Sequence, residues 1–174
     1  MAKSQGAKAN ESGKILEQQV TNALVLRGFE TIDYKTWMGL SLAEQRGRKL
    51  ISNAPYTSIY SSIGETIGAK IRPSRSEFII SDDQTDTFCR VECKWQAVSG
   101  SVDEKLPYVY LNAIEAWPEK EIIILIDGQG WKPNAIGWLK DAVENRRWRQ
   151  ASDNRNIHVF SLGEFIQWAQ RRFH

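Results

Sequence analysis

Apolar residues recur at helical spacing early in the chain, between about residues 12 and 27. The stripe consists of Ile15, Leu16, Val20, Ala23 and Leu24. Such a stripe predicts an amphipathic helix, and Gly28 just after it is a typical helix stop. Residues 1–11 are mostly small and polar, so we expect a disordered tail before the helix.

The middle of the chain reads as a β-hairpin. Residues 76–80 and 87–96 each fit a strand, and the polar stretch 81–86 fits the turn between them. Successive side chains of a strand point to opposite sides. One face of the second strand carries Cys89, Val91, Cys93 and Trp95, which we expect to face the core, and the other carries Arg90, Glu92, Lys94 and Gln96. Glu77 lies on the first strand of the hairpin.

The second half of the chain alternates helix and strand patterns. Ser101 with Glu104 has the spacing of a capping box, which predicts a helix through Ala113. Residues 121–126 are a continuous apolar run, typical of a strand buried on both faces. A helix is predicted from Pro133 to about residue 149, then a strand over 157–160 and a last helix over 162–173. We therefore expect one α/β domain over residues 12–174, with a mixed central sheet flanked by helices.

Residues 29–71 are less regular. A short strand fits residues 29–34, and a short helix rich in Arg and Lys fits residues 41–50. Residues 53–70 are dominated by Ser, Thr, Gly, Ile and Tyr and read as loops with a short strand or two. A long irregular segment of this kind is either functional or a surface elaboration, and the two interpretations are about equally favoured.

Composition narrows the choice of compartment and cofactor. The chain has 174 residues, a net charge of +2 and two cysteines. Cys89 and Cys93, four residues apart on a strand, lie about 13 Å from each other, too far for a disulfide. With two cysteines and two histidines in the sequence, a structural zinc site is not expected. Unpaired thiols suit a reducing cytoplasm, and no apolar run reaches membrane length.

The chain contains three acid-x-Lys triplets, and their context separates them. Asp33-Tyr-Lys follows the first helix and Asp103-Glu-Lys falls in the first turn of another. Only Glu92-Cys93-Lys94 lies late in a strand that pairs with an earlier acid-bearing strand. An exposed antiparallel strand also alternates in this way, so a solvated face or a buried ion pair is the structural alternative.

Basic residues are clustered, which matters more for nucleic-acid binding than a small net charge. The candidates for contacting nucleic acid are Arg46, Arg48, Lys49, Arg72 and Arg75, together with Trp131 and Lys132. Trp131, in a Gly-rich turn, is the best exposed candidate for stacking on a base or sugar. The alternative for each cluster is ordinary solubilising charge.

These residues together resemble a known family. The pattern is similar to the PD-(D/E)xK nuclease superfamily, which includes restriction endonucleases and Holliday junction resolvases, with an αβββαβ core. Glu92-Cys93-Lys94 resembles its acid-x-Lys element, and Glu77 takes the place of its Pro-Asp strand acid, although Ser76 and Glu77 depart from Pro-Asp. Glu17, in a Gly13-to-Gly28 segment, is similar to a first-helix Glu of the resolvases. Gln96 also recurs in some branches, and residues 99–108 resemble prokaryotic and phage members.

The resemblance implies a site and an activity. Glu77, Glu92, Glu17 and the backbone carbonyl of Cys93 would hold Mg²⁺, for which Mn²⁺ substitutes. Lys94 would orient and help deprotonate the attacking water or stabilise the charge on the phosphorane, and Gln96 would position the water or a phosphate oxygen. With Glu17, Glu77 and Glu92 they form the catalytic set. The expected function is a cytoplasmic, metal-dependent endonuclease that hydrolyses DNA phosphodiester bonds, in a homodimer if both strands are cut. The alternatives are a branched-DNA resolvase, a catalytically inactive DNA-binding module of the same fold, and a protein-interaction domain built on the seven Trp residues.

Overall fold

A six-stranded mixed sheet forms the centre of the fold. The computed structural model describes the backbone of residues 5–61, 74–98 and 101–174, and the side chains of residues 14–61, 74–98 and 103–174. The strands are β1 (Glu30–Asp33), β2 (Lys49–Ser52), β3 (Pro55–Tyr56), β4 (Ser74–Arg75), β5 (Phe78–Asp82), β6 (Thr87–Trp95), β7 (Glu121–Asp127) and β8 (Asn156–Phe160). The central sheet has the order β1-β2-β5-β6-β7-β8, and β3 pairs separately with β4.

Five helices with both ends in the described part of the chain flank the sheet. They are α1 (Gln5–Val25), α2 (Tyr34–Met38), α3 (Lys105–Leu111), α4 (Pro133–Glu144) and α5 (Leu162–Arg172). A 3₁₀ turn, Ser101–Glu104, precedes α3, and a π-helical turn, Asn112–Ala116, follows it. No described helix has the length and apolar character needed to cross a lipid bilayer.

The elements α1, β2, β5, β6, α3 and β7 follow one another in the expected αβββαβ order. β2, β5 and β6 form an antiparallel meander, whereas β6, β7 and β8 are parallel. A parallel neighbour needs a crossover connection, and α3 supplies it between β6 and β7. The predicted mixed α/β fold with a helix-flanked central sheet is confirmed.

The two faces of β6 belong to different layers. Cys89, Val91 and Cys93 are buried on one face with apolar residues of α1 and α5, among them Leu16 and Phe165. The second core lies around α3, α4 and β7. Both cysteines are free thiols, and burial raises their pKa well above the usual value. Side chains alternate along β6, as predicted. Every second side chain therefore enters the core formed with α1 and α5, and those between point away from it.

The region between α1 and β5 differs from the prediction. Residues 42–45 form turns rather than part of a helix, and residues 49–52 are strand β2. The helix predicted over 41–50 is wrong because residues 49–52 pair with β1 on one side and β5 on the other. Helix α2 was not predicted. It begins after Asp33, whose carboxylate accepts a hydrogen bond from the backbone N–H of Lys35, a typical N-cap.

Helix boundaries also shift. α1 begins at Gln5, inside the expected tail, and Ala, Lys, Gln and Glu in residues 5–11 are good helix formers. α4 ends at Glu144, before the predicted residue 149, because Arg146 and Trp148 have positive φ angles of 50° and 58° that no helix accommodates. The side chain of Ser101, and with it the predicted capping box, lies outside the described residues.

Candidate active site

Two neighbouring strands bring the central acids together. Glu77 is the residue immediately before β5 rather than on it. The antiparallel register pairs Phe78 with Val91, so its continuation places Glu77 opposite Glu92. Residues opposite each other in an antiparallel pair share a face. The hairpin therefore positions both carboxyl groups side by side at the end of β5 and within β6.

The ammonium group of Lys94 lies among three oxygen atoms of the site. Its Nζ is 2.5 Å from Glu92 Oε1 and 3.3 Å from the carbonyl oxygen of Cys93. It is 3.9 Å from Glu77 Oε1. These are the three groups expected to hold a metal ion through the hairpin. The ammonium is thus the positive charge on which these three groups converge.

The backbone of Cys93 ties the two strands together at this point. Its N–H donates to Glu77 Oε2 at 3.2 Å, while its carbonyl accepts from Lys94. The side chain of Cys93 meanwhile packs in the α1 core. The backbone of Cys93 therefore orients both Glu77 and Lys94. Because the Cys93 side chain is buried, this part of the backbone is held in place.

Glu92 is the most buried member of the site. Only 4% of the residue is exposed, and burial raises the pKa of its carboxyl to about 8, with the charge of Glu77 adding to the rise and Lys94 opposing it. Glu92 Oε1 accepts a hydrogen bond from the Lys94 ammonium, but Oε2 is buried with no hydrogen-bond partner in the described structure. A buried acceptor without a partner is costly, so this oxygen is available to a cation or a donor.

Lys94 remains a cation in this setting. Burial alone lowers the pKa of a lysine, but the charges of Glu92 and Glu77 outweigh it and the pKa of Lys94 is raised. A group held as ammonium stabilises negative charge on a neighbour. It is a poor acceptor of a proton near neutral pH.

Glu17 lies on α1, the helix that packs on the Cys93 side of the sheet. Burial raises the pKa of Glu17, and the charge of Glu77 raises it further, whereas Lys14 and Lys94 lower it. Glu17 is therefore within electrostatic range of the hairpin acids. Within the described residues, however, no three His, Cys, Asp or Glu side chains are grouped closely enough to hold a metal ion. The expected set of three glutamate ligands is thus not assembled, and the hairpin pair stands without Glu17.

The chemistry of the remaining donors fits a divalent cation. Two carboxylates and one carbonyl are the hard oxygen ligands that Mg²⁺ and Mn²⁺ take. Glu92 Oε2 is buried and unpartnered, and the two carboxylates face one ammonium. If both glutamates are ionised, one negative charge is left uncompensated, which favours an added cation.

Gln96 does not join the acids. β6 ends at Trp95, and the side-chain amide of Gln96 donates to the carbonyl of Val98 at 2.5 Å. The backbone of Gln96 holds the turn after β7, since Gly130 N–H donates to its carbonyl at 2.9 Å. A Cβ added at Gly128 would meet that carbonyl oxygen at 2.2 Å. The predicted catalytic position of Gln96 is therefore replaced by a structural contact.

Most of the predicted basic contacts lie away from the acids. Lys49 pairs with Ser81 near the far end of β5 from Glu77, and its ammonium is 2.5 Å from Glu30. Arg48 is engaged with Asp82 and two backbone carbonyls. Arg46 shares a surface with three aspartates, Asp82, Asp83 and Asp86, at the same end. These three residues therefore lie toward the end of β5 that is remote from Glu77, and Arg48 and Lys49 are engaged in ion pairs. Their role in nucleic-acid binding stays a prediction.

Three further predicted contacts have different outcomes. Trp131 is 6% exposed and its indole N–H donates to the carbonyl of Asp127 at 3.0 Å, so its predicted exposure is wrong. Its ring is part of the core around α3, α4 and β7. Lys132 is exposed but lies 3.1 Å from Asp103. Arg75 is exposed on β4, one residue before Ser76 and near the acid end of the hairpin, and Arg72 lies outside the described residues.

A second set of residues lies near the acids. A cavity of about 240 Å³ adjoins Glu92 and Lys94 and is lined by Tyr56, Lys105, Tyr108, Asn112 and Trp117. Three of these five residues recur at positions 105, 108 and 112, which is the spacing of one helical face. This spacing is the sequence signal for the cavity, and it is separate from the apolar positions that predict the helix.

The wall of this cavity is held by a buried ion pair. Arg90 donates to both carboxylate oxygens of Glu119, each at 2.7 Å. Its guanidinium also lies 5.4 Å from the ring centre of Tyr56 and 5.7 Å from that of Trp117. Arg90 is two residues before Glu92 on the same face, so the pair fixes both rings relative to the acids.

A mixed sheet with two acids and a lysine on paired strands is the arrangement of a nuclease-type domain. The chain belongs to the PD-(D/E)XK nuclease superfamily, since the family description "PD-(D/E)XK nuclease superfamily domain" matches residues 8–173. The resemblance stated from the sequence is confirmed. Neither the curated proteins nor the solved structures compared with the chain gave a match. Membership implies a nuclease-type function on a nucleic acid, and nucleases of this kind generally use divalent metals.

Proposed function

We propose that this chain is a Mg²⁺- or Mn²⁺-dependent endonuclease that hydrolyses DNA phosphodiester bonds. The observation that carries the proposal is the convergence of Glu77, Glu92 and the Cys93 carbonyl on one point, which the Lys94 ammonium marks. An ordinary solvated strand face would not bury Glu92 with one carboxylate oxygen unpartnered. The family match over residues 8–173 supports the same conclusion.

Each residue has a defined part in this proposal. Glu77, Glu92 and the carbonyl of Cys93 would hold the cation, which supplies Lewis-acid stabilisation of the phosphate. Glu17, whose pKa responds to the charge of Glu77, lies within electrostatic range and adds negative potential rather than a direct ligand. The burial of Glu92 excludes water from one side of the site, which strengthens the electrostatic interactions there.

Lys94 is proposed to stabilise negative charge on the phosphate. Its ammonium lies beside both carboxylates, and a lysine side chain is ordinarily protonated near neutral pH. Hydrolysis concentrates negative charge on the phosphate oxygens, and a fixed ammonium aimed there lowers the barrier. In this scheme the proton of the attacking water passes to a solvent water molecule, because a protonated lysine cannot accept it.

The test is cleavage of supercoiled plasmid, linear duplex DNA and single-stranded DNA in Mg²⁺ and in Mn²⁺. Glu92→Gln and Lys94→Ala should each lower the rate at least a hundredfold, the order found when one group that stabilises transition-state charge is removed. The matched control is Lys35→Ala, which removes the lysine of another acid-x-Lys triplet. Lys35 is exposed and its Asp33 partner caps a helix, so the rate should not change.

Two outcomes would contradict the proposal. Cleavage retained in both site variants would place the chemistry elsewhere in the chain or in a contaminant. Absence of cleavage by the wild-type protein, together with DNA binding that is insensitive to Glu92→Gln, would identify a DNA-binding module that has lost activity. Calorimetric titration with Mn²⁺ separates the latter case, because an inactive module of that kind shows no carboxylate-dependent heat.

A further inference from the structure

We propose that the cavity beside the acids is a subsite for one unpaired nucleobase next to the phosphate that is cut, so that the preferred substrate is single-stranded. The inference rests on the proposed function for the location of that phosphate. It is carried by separate observations on the cavity between β6 and α3. That cavity, called the base subsite below, is lined by Tyr56, Lys105, Tyr108, Asn112 and Trp117.

The base subsite and the candidate active site share two residues. Glu92 and Lys94 line the cavity and also form the site at which the phosphate would be bound. A group in the cavity is therefore adjacent to a phosphate held at Lys94. In a nucleic acid, the groups next to a phosphate are a sugar and its base.

Three aromatic rings shape the cavity. Tyr56 and Trp117 meet edge to face, with ring centres 5.5 Å apart. Tyr108 is stacked by Tyr60, with ring centres 5.1 Å apart and planes 18° apart. Aromatic walls favour a flat, unsaturated ligand that can stack on them. Every nucleobase has such a face, so stacking does not depend on which base it is. Arg90 beneath two of these rings keeps them in place.

The polar groups of the cavity are incompletely satisfied. The indole N–H of Trp117 is buried and has no hydrogen-bond partner in the described structure, and Trp117 is 2% exposed. Glu92 Oε2 is an acceptor in the same condition. An unpaired buried donor is costly, and a base offers ring nitrogens and carbonyl oxygens to such a donor. Lys105, exposed at the cavity, has the charge to meet a flanking phosphate.

The size of the cavity suits a single base. Its volume of about 240 Å³ leaves room for one base with part of its sugar. A base inside a duplex is stacked and paired, and removing it costs a few kcal/mol. A single strand avoids this cost, which is why we infer that it is preferred.

The experiment measures binding without cleavage. The full chain is titrated, in chelator, into a single-stranded DNA oligonucleotide, its RNA counterpart and the matched blunt duplex, with fluorescence anisotropy as the readout. Single 2-aminopurine substitutions in the strand report stacking through their emission. We expect the single-stranded DNA to bind at least tenfold more tightly than the duplex, with quenched emission. Quenching with the RNA strand alone would overturn the assignment to DNA.

Variants test whether the cavity is responsible. Tyr108→Ala should weaken single-strand binding about tenfold, as loss of one stacking partner does, while duplex binding stays constant and Tyr108→Phe restores the wild-type value. Trp117→Phe, which keeps a ring and removes the unpartnered donor, should also weaken binding. The matched control is Phe88→Ala, an exposed aromatic residue at the other end of β6, which should have no effect.

Several results would overturn the inference. Equal affinity for duplex and single strand, or unchanged binding by Tyr108→Ala, excludes the base subsite. Tight binding with unquenched 2-aminopurine means that the cavity holds water only. Because cleavage is not read out, the absence of nuclease activity leaves this test valid. Conversely, loss of the subsite leaves the role of Glu92 and Lys94 to be judged by the plasmid assay.

Discussion

Replacing Lys94 by methionine should separate its electrostatic role from cation binding. The Lys94 ammonium contacts Glu92 and the Cys93 carbonyl and lies 3.9 Å from Glu77. Methionine keeps much of the apolar stem but leaves the two carboxyl groups facing each other. Removing one partner of a buried ion pair costs about 3–5 kcal/mol. Since the Lys94 side chain is 21% exposed, a cost of about 2–3 kcal/mol is the better expectation.

This cost can be converted into a melting temperature. For a chain of 150–250 residues, 1 kcal/mol shifts Tm by roughly 2–4 °C, so Lys94→Met without metal should melt about 4–12 °C below wild type. Added Mn²⁺ or Mg²⁺ replaces the missing charge. At a hundred times its dissociation constant, a ligand stabilises the native state by about 2.7 kcal/mol. In the wild type the cation competes with the ammonium and stabilises the chain less, so the gap in Tm should close.

The assay is differential scanning calorimetry of both proteins in chelator and in saturating divalent cation. Lys140→Met is the matched control. Its ammonium is 3.5 Å from Glu164, with both side chains about half exposed, and such surface pairs contribute about 0–1 kcal/mol. The control should lose little stability and respond to the cation as wild type does. A Tm deficit of Lys94→Met that is the same with and without cation would refute the reasoning.

Three further outcomes are expected. Cation binding should strengthen as the pH rises toward about 8, the raised pKa of Glu92, since a proton must leave first, and calorimetric titration of Glu92→Gln should show no such rise. Asp153→Asn should lose about 2 kcal/mol at neutral pH: hydrogen bonds from Arg155 and Arg149 outweigh burial and lower the pKa of Asp153 to about 2. That stability is present above the unfolded pKa of 3.8 and is lost as the pH falls through 2, so acid unfolding curves of wild type and variant should converge. Gly128→Ala should cost about 2–3 kcal/mol in urea unfolding, because Gly128 has φ of 102° and the new Cβ would clash with the Gln96 carbonyl; unchanged stability would contradict the packing described.

The sequence predicts the elements whose pattern is long and periodic. The nine-residue strand β6 alternates clearly between apolar and polar residues. Its two faces, and the position of Glu92 and Lys94 on the same face, therefore follow from the residues alone. The hairpin turn and the buried strand β7 are equally direct. The closeness of Glu77 to Glu92 follows from pairing the two strands of the hairpin.

Other features depend on contacts between distant parts of the chain. Strand β2 is four residues long, too short to show a period, and it exists because β1 and β5 lie on either side of it. Trp131 is buried in the core around α3, α4 and β7, which no local pattern predicts. The base subsite joins β3, β6 and α3 with Trp117. Neighbouring cationic residues in the sequence, such as Arg46 and Arg48, likewise say nothing about their distance from the acids.

The position of β6 between β5 and β7 has a consequence for how this protein can change over generations. Because side chains alternate with a period of two, a one-residue insertion or deletion ahead of Glu92 would exchange the two faces of the strand. Glu92 and Lys94 would then point into the hydrophobic core beneath α1, and Cys93 would take their place beside Tyr56. Diversification must therefore proceed by substitution within this strand and by length changes in the connections around it.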